Sequence, residues 1–165
     1  YKRRFWAGAP RELWNRKFAE QSRMPKEPEN PPPNEVGRPL VLLVDDEADI
    51  RRMARLEILA LGYGLVVGRH GQEGLELARL YRPDLVLTDA LMPKLDGRDM
   101  CRQIKQDPDL AGTRVVVMTS LYTGIKYEAQ AYKNYLVDGY LAKPLEFAKL
   151  KAVLHKWVPL EAKRA

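Results

Sequence analysis

Four short apolar runs in this chain are followed at once by side chains that handle metal ions and phosphate. Asp45-Asp46-Glu47 follows the first, Thr88-Asp89 the third, Thr119-Ser120 the fourth and Lys143-Pro144 the fifth. Carboxylates brought together repel one another and raise each other's pKa unless a cation sits among them. A divalent metal resolves that conflict. With only oxygen ligands on offer and a phosphate in prospect, the fitting ion is Mg²⁺, which takes one or two carboxylates and completes its shell with water and phosphate oxygens. Lys143 then supplies a point charge to the phosphate and Thr119 a hydroxyl hydrogen bond. Asp89 remains as the nucleophile, of the same chemical class as the carboxylates that form aspartyl-phosphate in ion-pumping ATPases.

This chemistry requires a scaffold that gathers four separate strand ends. Short apolar runs at 40–44, 65–67, 85–87, 115–118 and 140–141 read as buried strands, and the stretches 48–61, 71–81, 97–106, 124–136 and 146–157 as amphipathic helices. Fully apolar strands alternating with helices imply a parallel sheet covered on both faces. Right-handed crossovers make it an α/β, doubly wound five-stranded (βα)₅ fold. In such a sheet ligands bind beyond the carboxyl ends of the strands, where these polar residues stand.

The rest of the chain limits the alternatives. No apolar run approaches the roughly 18 to 20 residues that span a bilayer, and Tyr1-Lys2-Arg3-Arg4 does not lead into a signal-peptide core. One cysteine, Cys101, cannot form an internal disulfide, and His70 and His155 have no metal-site spacing, which suits a cytoplasmic protein. The first residue is Tyr rather than Met, which is compatible with a fragment of something longer but does not establish one. Residues 1–39 carry nine Lys/Arg against five Asp/Glu, so most of the net charge of +6 lies there and the remainder is no polyanion binder. Pro25, Pro28, Pro31, Pro32, Pro33 and Pro39 mark 25–39 as an extended linker. Ahead of it, residues 1–24 form a basic aromatic extension in which 10–23 reads as one short helix. Phe5, Trp6, Trp14 and Phe18 suit either packing on the domain or docking to a partner. The working expectation is that they meet a partner and add little to the domain's own stability.

Four strings carry a resemblance: Leu42-Leu43-Val44-Asp45-Asp46-Glu47, the stretch from Asp84 to Gly97, Val115-Val116-Val117-Met118-Thr119-Ser120 and Gly139-Tyr140-Leu141-Ala142-Lys143-Pro144. In order and approximate spacing they resemble the signature blocks of the response-regulator receiver family, over about 38–158. The resemblance implies a flavodoxin-like receiver domain at 40–158 with a tail at 159–165. It implies Asp89 as phosphoacceptor, Asp46 as direct metal ligand with Asp45 beside it, and the Leu91 backbone carbonyl as a further metal contact. It also implies Thr119 as the hydroxyl that follows the phosphate, Lys143 as phosphate-binding lysine and Tyr140 as the aromatic switch residue. Pro144 matches a position whose preceding peptide is usually cis.

The implied partners are a histidine kinase or phosphotransfer protein upstream and a downstream protein or attached effector. The latter would be met by the face of the fourth predicted helix, the fifth strand and the fifth predicted helix. No nucleic acid is expected at the receiver itself, and a membrane only through an unseen upstream region. The interval from Thr119 to Lys143 is 24 positions, longer than in the simplest chemotaxis receivers, and 121–127 is aromatic and basic. Leu136-Val137-Asp138-Gly139 also replaces the small residues usual before the fifth strand.

Three further readings compete or coexist. A terminal receiver of a hybrid histidine kinase would show the same blocks. An aspartyl-phosphate hydrolase of the haloacid-dehalogenase kind needs an acid two places after the nucleophile, where this chain has Leu91. A DNA-binding regulator would need its helix-turn-helix elsewhere, since too few residues follow Trp157. Asp45-Asp46 alone would pass for a helix cap, Asp96-Gly97 reads as a turn and cap, Cys101 as a small buried hydrophobe, and both histidines as surface residues.

Overall fold

The computed structural model describes residues 37–120 and 136–160. Along them run β1 (Leu40–Val44), α1 (Ala48–Ala60), β2 (Gly64–Gly68), α2 (Gly71–Tyr81), β3 (Leu85–Asp89), α3 (Gly97–Gln106), a 3₁₀ turn (Pro108–Leu110), β4 (Arg114–Thr119), β5 (Gly139–Ala142) and α4 (Phe147–Trp157). The predicted helix at 124–136, the short helix at 10–23 and the linker before residue 37 lie outside the described residues. Thus α4 is the fifth of the helices expected from sequence.

All five strands pair in parallel, in the order β2-β1-β3-β4-β5. The alternation along each strand decides which residues meet which helices. Leu40, Leu42 and Val44 join Val86, Val115 and Val117 on one face, where Leu75 and Ala78 of α2 and Met100, Cys101 and Ile104 of α3 pack. Val41 and Leu43 join Leu85, Leu87, Val116 and Met118 on the other, under Ala54 and Ile58 of α1 and Leu150 and Leu154 of α4. Both faces are therefore dry, which is why the strands have no polar alternation.

Helix ends follow local rules. Asp96 caps α3 by accepting the Arg98 amide, and His70 caps α2 through Nδ1, which accepts the Glu73 amide. His70 is half-buried through this role instead of lying free on the surface, whereas His155 is exposed. Helix α2 ends on Arg82 in the left-handed region, its amide returning to Ala78 O. Cys101 is fully buried in α3, as its apolar neighbours imply.

Candidate functional site

Strand order places the ends of β1 and β3 side by side, with β4 and β5 beyond, so the carboxyl edge gathers the expected acids. Carboxylate oxygens of Asp45, Asp46 and Asp89 all lie within 4.8 Å of one another. Lys143, at the end of β5, reaches in from the far side. Its Nζ donates to Asp45 Oδ2 at 2.9 Å and stands 3.5 Å from Asp89 Oδ1 and 3.9 Å from Glu47 Oε1. The peptide between Lys143 and Pro144 is cis, as the resemblance implies.

The neighbouring acids differ sharply in setting. Asp45 is fully buried: Oδ1 accepts the Glu47 amide at 2.9 Å and Oδ2 accepts Lys143. Asp46 is exposed. Neither side chain caps α1, whose N-cap is Glu47 without a side-chain cap bond. Asp89 sits at an intermediate depth, with Oδ1 accepting the Ala90 amide at 2.9 Å.

Charge at the site is out of balance, with several acids around one ammonium. Burial pushes Asp89 up to about 6, with the Asp45 and Asp46 charges adding to the effect and Lys143 opposing it. Burial likewise raises Asp45 despite its bond to Lys143. Burial alone would lower Lys143, but Asp45 and Asp89 outweigh it and hold the ammonium above its ordinary range. Several acids share one buried ammonium, so the lysine stays charged while the acids bear the cost.

Backbone fit at Asp89 is equally specific. A Cβ built on Gly97 would stand 1.8 Å from the Asp89 carbonyl oxygen, so only glycine lets α3 start this close to the end of β3. The Gly97 amide donates to Ala90 O at 2.9 Å and buried Thr88 Oγ1 donates to Asp89 O at 3.0 Å. The Asp96-Gly97 pair predicts a turn and cap, and nothing in its sequence signals this contact. Nor does any motif single out Arg51, whose Nη1 donates to Asp45 O at 2.8 Å. Glu47 was legible as the third acid of its run, but not its approach to Lys143.

Of the remaining expected residues, Tyr140 is half-buried against the core face shared with α2 and α3. Leu91 follows Asp89 in the loop and is 40% exposed. Thr119 pairs through its backbone with Ala142 at the end of β4, and its side chain lies outside what is described. The donor set is all oxygen, tightly grouped and anionic in excess, which fits a small hard divalent cation.

A parallel five-stranded α/β sheet with three acids and a lysine at one edge defines a class, and comparison identifies it. The family model described as response regulator receiver domain matches residues 41–155. The chain belongs to that family, whose members are modules of two-component signalling. A probable transcriptional regulator ycf27 of Guillardia theta is 36% identical over 122 residues, covering 70% of this chain and 45% of that protein. Response regulator ArlR of Staphylococcus haemolyticus is 29% identical over 120 residues, covering 70% of this chain and 52% of its own length. The chain thus spans about half the length of the curated relatives it matches.

Among solved structures, chemotaxis response regulator CheY4 of Vibrio cholerae superposes with a TM-score of 0.69 at 26% identity, covering 73% of this chain and 99% of that one. The receiver domain of a signal transduction histidine kinase from Syntrophus aciditrophicus gives 0.67 at 27%, covering 77% and 94%. No described helix is long and apolar enough to cross a membrane.

Proposed function

We propose that this receiver accepts a phosphoryl group on Asp89 from a phosphohistidine of a kinase or phosphotransfer protein in the cytoplasm, and signals to a downstream partner. The observation that carries the reading is the grouping of Asp45, Asp46 and Asp89 around one edge with Lys143 3.5 Å from Asp89. The Asp89 carboxylate attacks phosphorus, the phosphorus to imidazole-nitrogen bond breaks, and the leaving imidazole takes a proton. Lys143 already lies beside the acceptor oxygen, so the same ammonium meets a phosphoryl oxygen there with little movement.

Mg²⁺, held by Asp45, Asp46, Asp89 and the Leu91 carbonyl, would neutralise the acid cluster and the incoming phosphoryl charge. Thr119 is assigned the hydroxyl that follows the phosphate and Tyr140 the aromatic group that moves with it. The receiver is taken as 40–158, behind the extension at 1–24 and the linker at 25–39. It is a switch and not a turnover enzyme. Its place as terminal receiver of a hybrid histidine kinase is the second reading, favoured by the likeness to the kinase-borne receiver named above.

Incubation with acetyl phosphate and Mg²⁺, read by intact mass, is expected to add one phosphoryl group to the wild type. Asp89→Asn and wild type in EDTA should stay unlabelled. An unchanged adduct in the variant would overturn the assignment of Asp89.

A further inference from the structure

We propose that Arg51 is a positioning residue for the divalent-cation site, clasping the turn that presents Asp45 and Asp46 to Asp89. The inference rests on the reading of that edge as a Mg²⁺ and phosphoryl site. The register of β1 with both neighbours ends at Val44, opposite Gly68 and Thr88. Past it, the Asp45 amide reaches Gly68 O only at 3.3 Å, and α1 begins at Ala48. Within those few residues the backbone must leave the sheet, deliver two carboxylates to one side and start a helix.

Arg51 bonds both sides of this turn. Its main-chain amide donates to Glu47 O at 3.1 Å, and its side chain doubles back so that Nη1 donates to Asp45 O at 2.8 Å. The half-buried Arg51 thus serves, through its guanidinium, a carbonyl that lies beyond the β1 pairing register and ahead of the helix. The N-cap residue Glu47 makes no side-chain cap bond, so the start of α1 is not fixed in the commoner way. Asp45 is then held at three oxygens: Oδ1 by the Glu47 amide, Oδ2 by Lys143 and O by Arg51. Asp46, the next residue, hangs from a backbone anchored on both sides.

Charge and geometry make opposite demands here, which gives the idea a clear sign. A guanidinium beside a cation site repels a divalent ion, so acting by charge alone Arg51 would weaken metal binding. As a clasp that pre-orients ligands it strengthens binding, and outer partners of this kind are worth about 10-fold or more in affinity. A lysine keeps the charge but lacks the planar fork that fixes direction.

The test uses the full chain, with Mg²⁺ affinity from calorimetry and melting followed without metal. Arg51→Ala is expected to bind Mg²⁺ about tenfold more weakly, with little change in metal-free melting. Arg51→Lys should recover only part of the loss. The Mg²⁺ concentration giving half-maximal acetyl-phosphate labelling should rise in the same proportion, with a smaller change in the rate at saturating Mg²⁺. Equal or tighter binding in Arg51→Ala would reduce Arg51 to a charge and overturn the proposal. A lower melting temperature with unchanged affinity would make it structural and overturn it equally. If Arg51→Ala does not fold, the affinity of Arg51→Lys decides, wild-type binding there being the overturning result. Wild-type protein that binds no Mg²⁺ would instead sink the reading of the site itself.

Discussion

At the amino end of the sheet Asp138 accepts the Val115 amide at 2.7 Å, Lys105 Nζ at 2.5 Å and Arg114 Nη1 at 3.1 Å. Nearby, Asp84 accepts the Leu40 amide at 2.7 Å, Lys105 also donates to Thr113 O at 2.9 Å, and Arg114 lies over the Trp157 ring. Burial would push Asp138 up, but the bonds from Lys105 and the Val115 amide outweigh it and hold the carboxyl below its ordinary range. At the carboxyl end the direction reverses, with Asp89 and Asp45 both raised. The same kinds of side chain stabilise one end of the strands and strain the other. The contrast is one of stoichiometry: two cations and an amide serve one acid below, while one ammonium serves several acids above. Uncompensated negative charge is stored where a cation and a phosphoryl group are proposed to arrive.

The largest expected effect tests the compensated end. Asp138→Ala leaves Lys105 half-buried without its acid and the Val115 amide without its acceptor, and should destabilise the fold by about 3 kcal/mol. The measurement is chemical denaturation at pH 7. A loss below about 0.5 kcal/mol, the size of an ordinary surface change, would break the contrast.

The strained end should answer with the opposite sign. At pH 7 without divalent ions, Asp89→Asn is expected to raise stability by on the order of 2 kcal/mol, since it removes a raised carboxylate. Because the folded pKa of Asp89, about 6, lies above the unfolded value, the native state holds the extra proton between them. Wild-type stability should therefore rise as pH falls from 7 through about 6 toward 4. Below that it should fall, as acids with lowered values such as Asp138 are protonated. Asp89→Asn should flatten most of the rise. Denaturation curves across this range check it, and a wild type that only loses stability on acidification would contradict the assignment of strain.

The smallest effect comes from supplying the missing charge. Mg²⁺ at tenfold excess over its dissociation constant should stabilise the wild type by about 1.4 kcal/mol, and far less in Asp46→Ala. It should also shrink the acid-side rise, because a bound cation favours the ionised carboxylates. Thermal melting with and without Mg²⁺ at pH 7 and pH 5 is the check.

Much of this was legible residue by residue. The apolar runs at 40–44 and 85–87 became β1 and β3, and the helical stretches at 71–81 and 97–106 coincide with α2 and α3. The polar residues after each run lie at the carboxyl edge because a parallel sheet has one such edge. What the pattern could not show was the rank of the acids. Asp45 and Asp46 are identical in kind, yet one is buried under Lys143 and the other faces solvent.

Hydrophobic period and strand polarity are local properties, so the described strands and helices, their parallel arrangement and the set of side chains at one edge are readable from the residues alone. The order β2-β1-β3-β4-β5, the exclusion of any side chain at Gly97 and the reach of Arg51 back to the Asp45 carbonyl depend instead on contacts made in the folded chain. Those contacts also decide which carboxylates bear the strain. Burial and Coulomb energy depend on neighbours such as Lys143 and Asp45, which stand 98 residues apart along the chain and 2.9 Å apart in the fold.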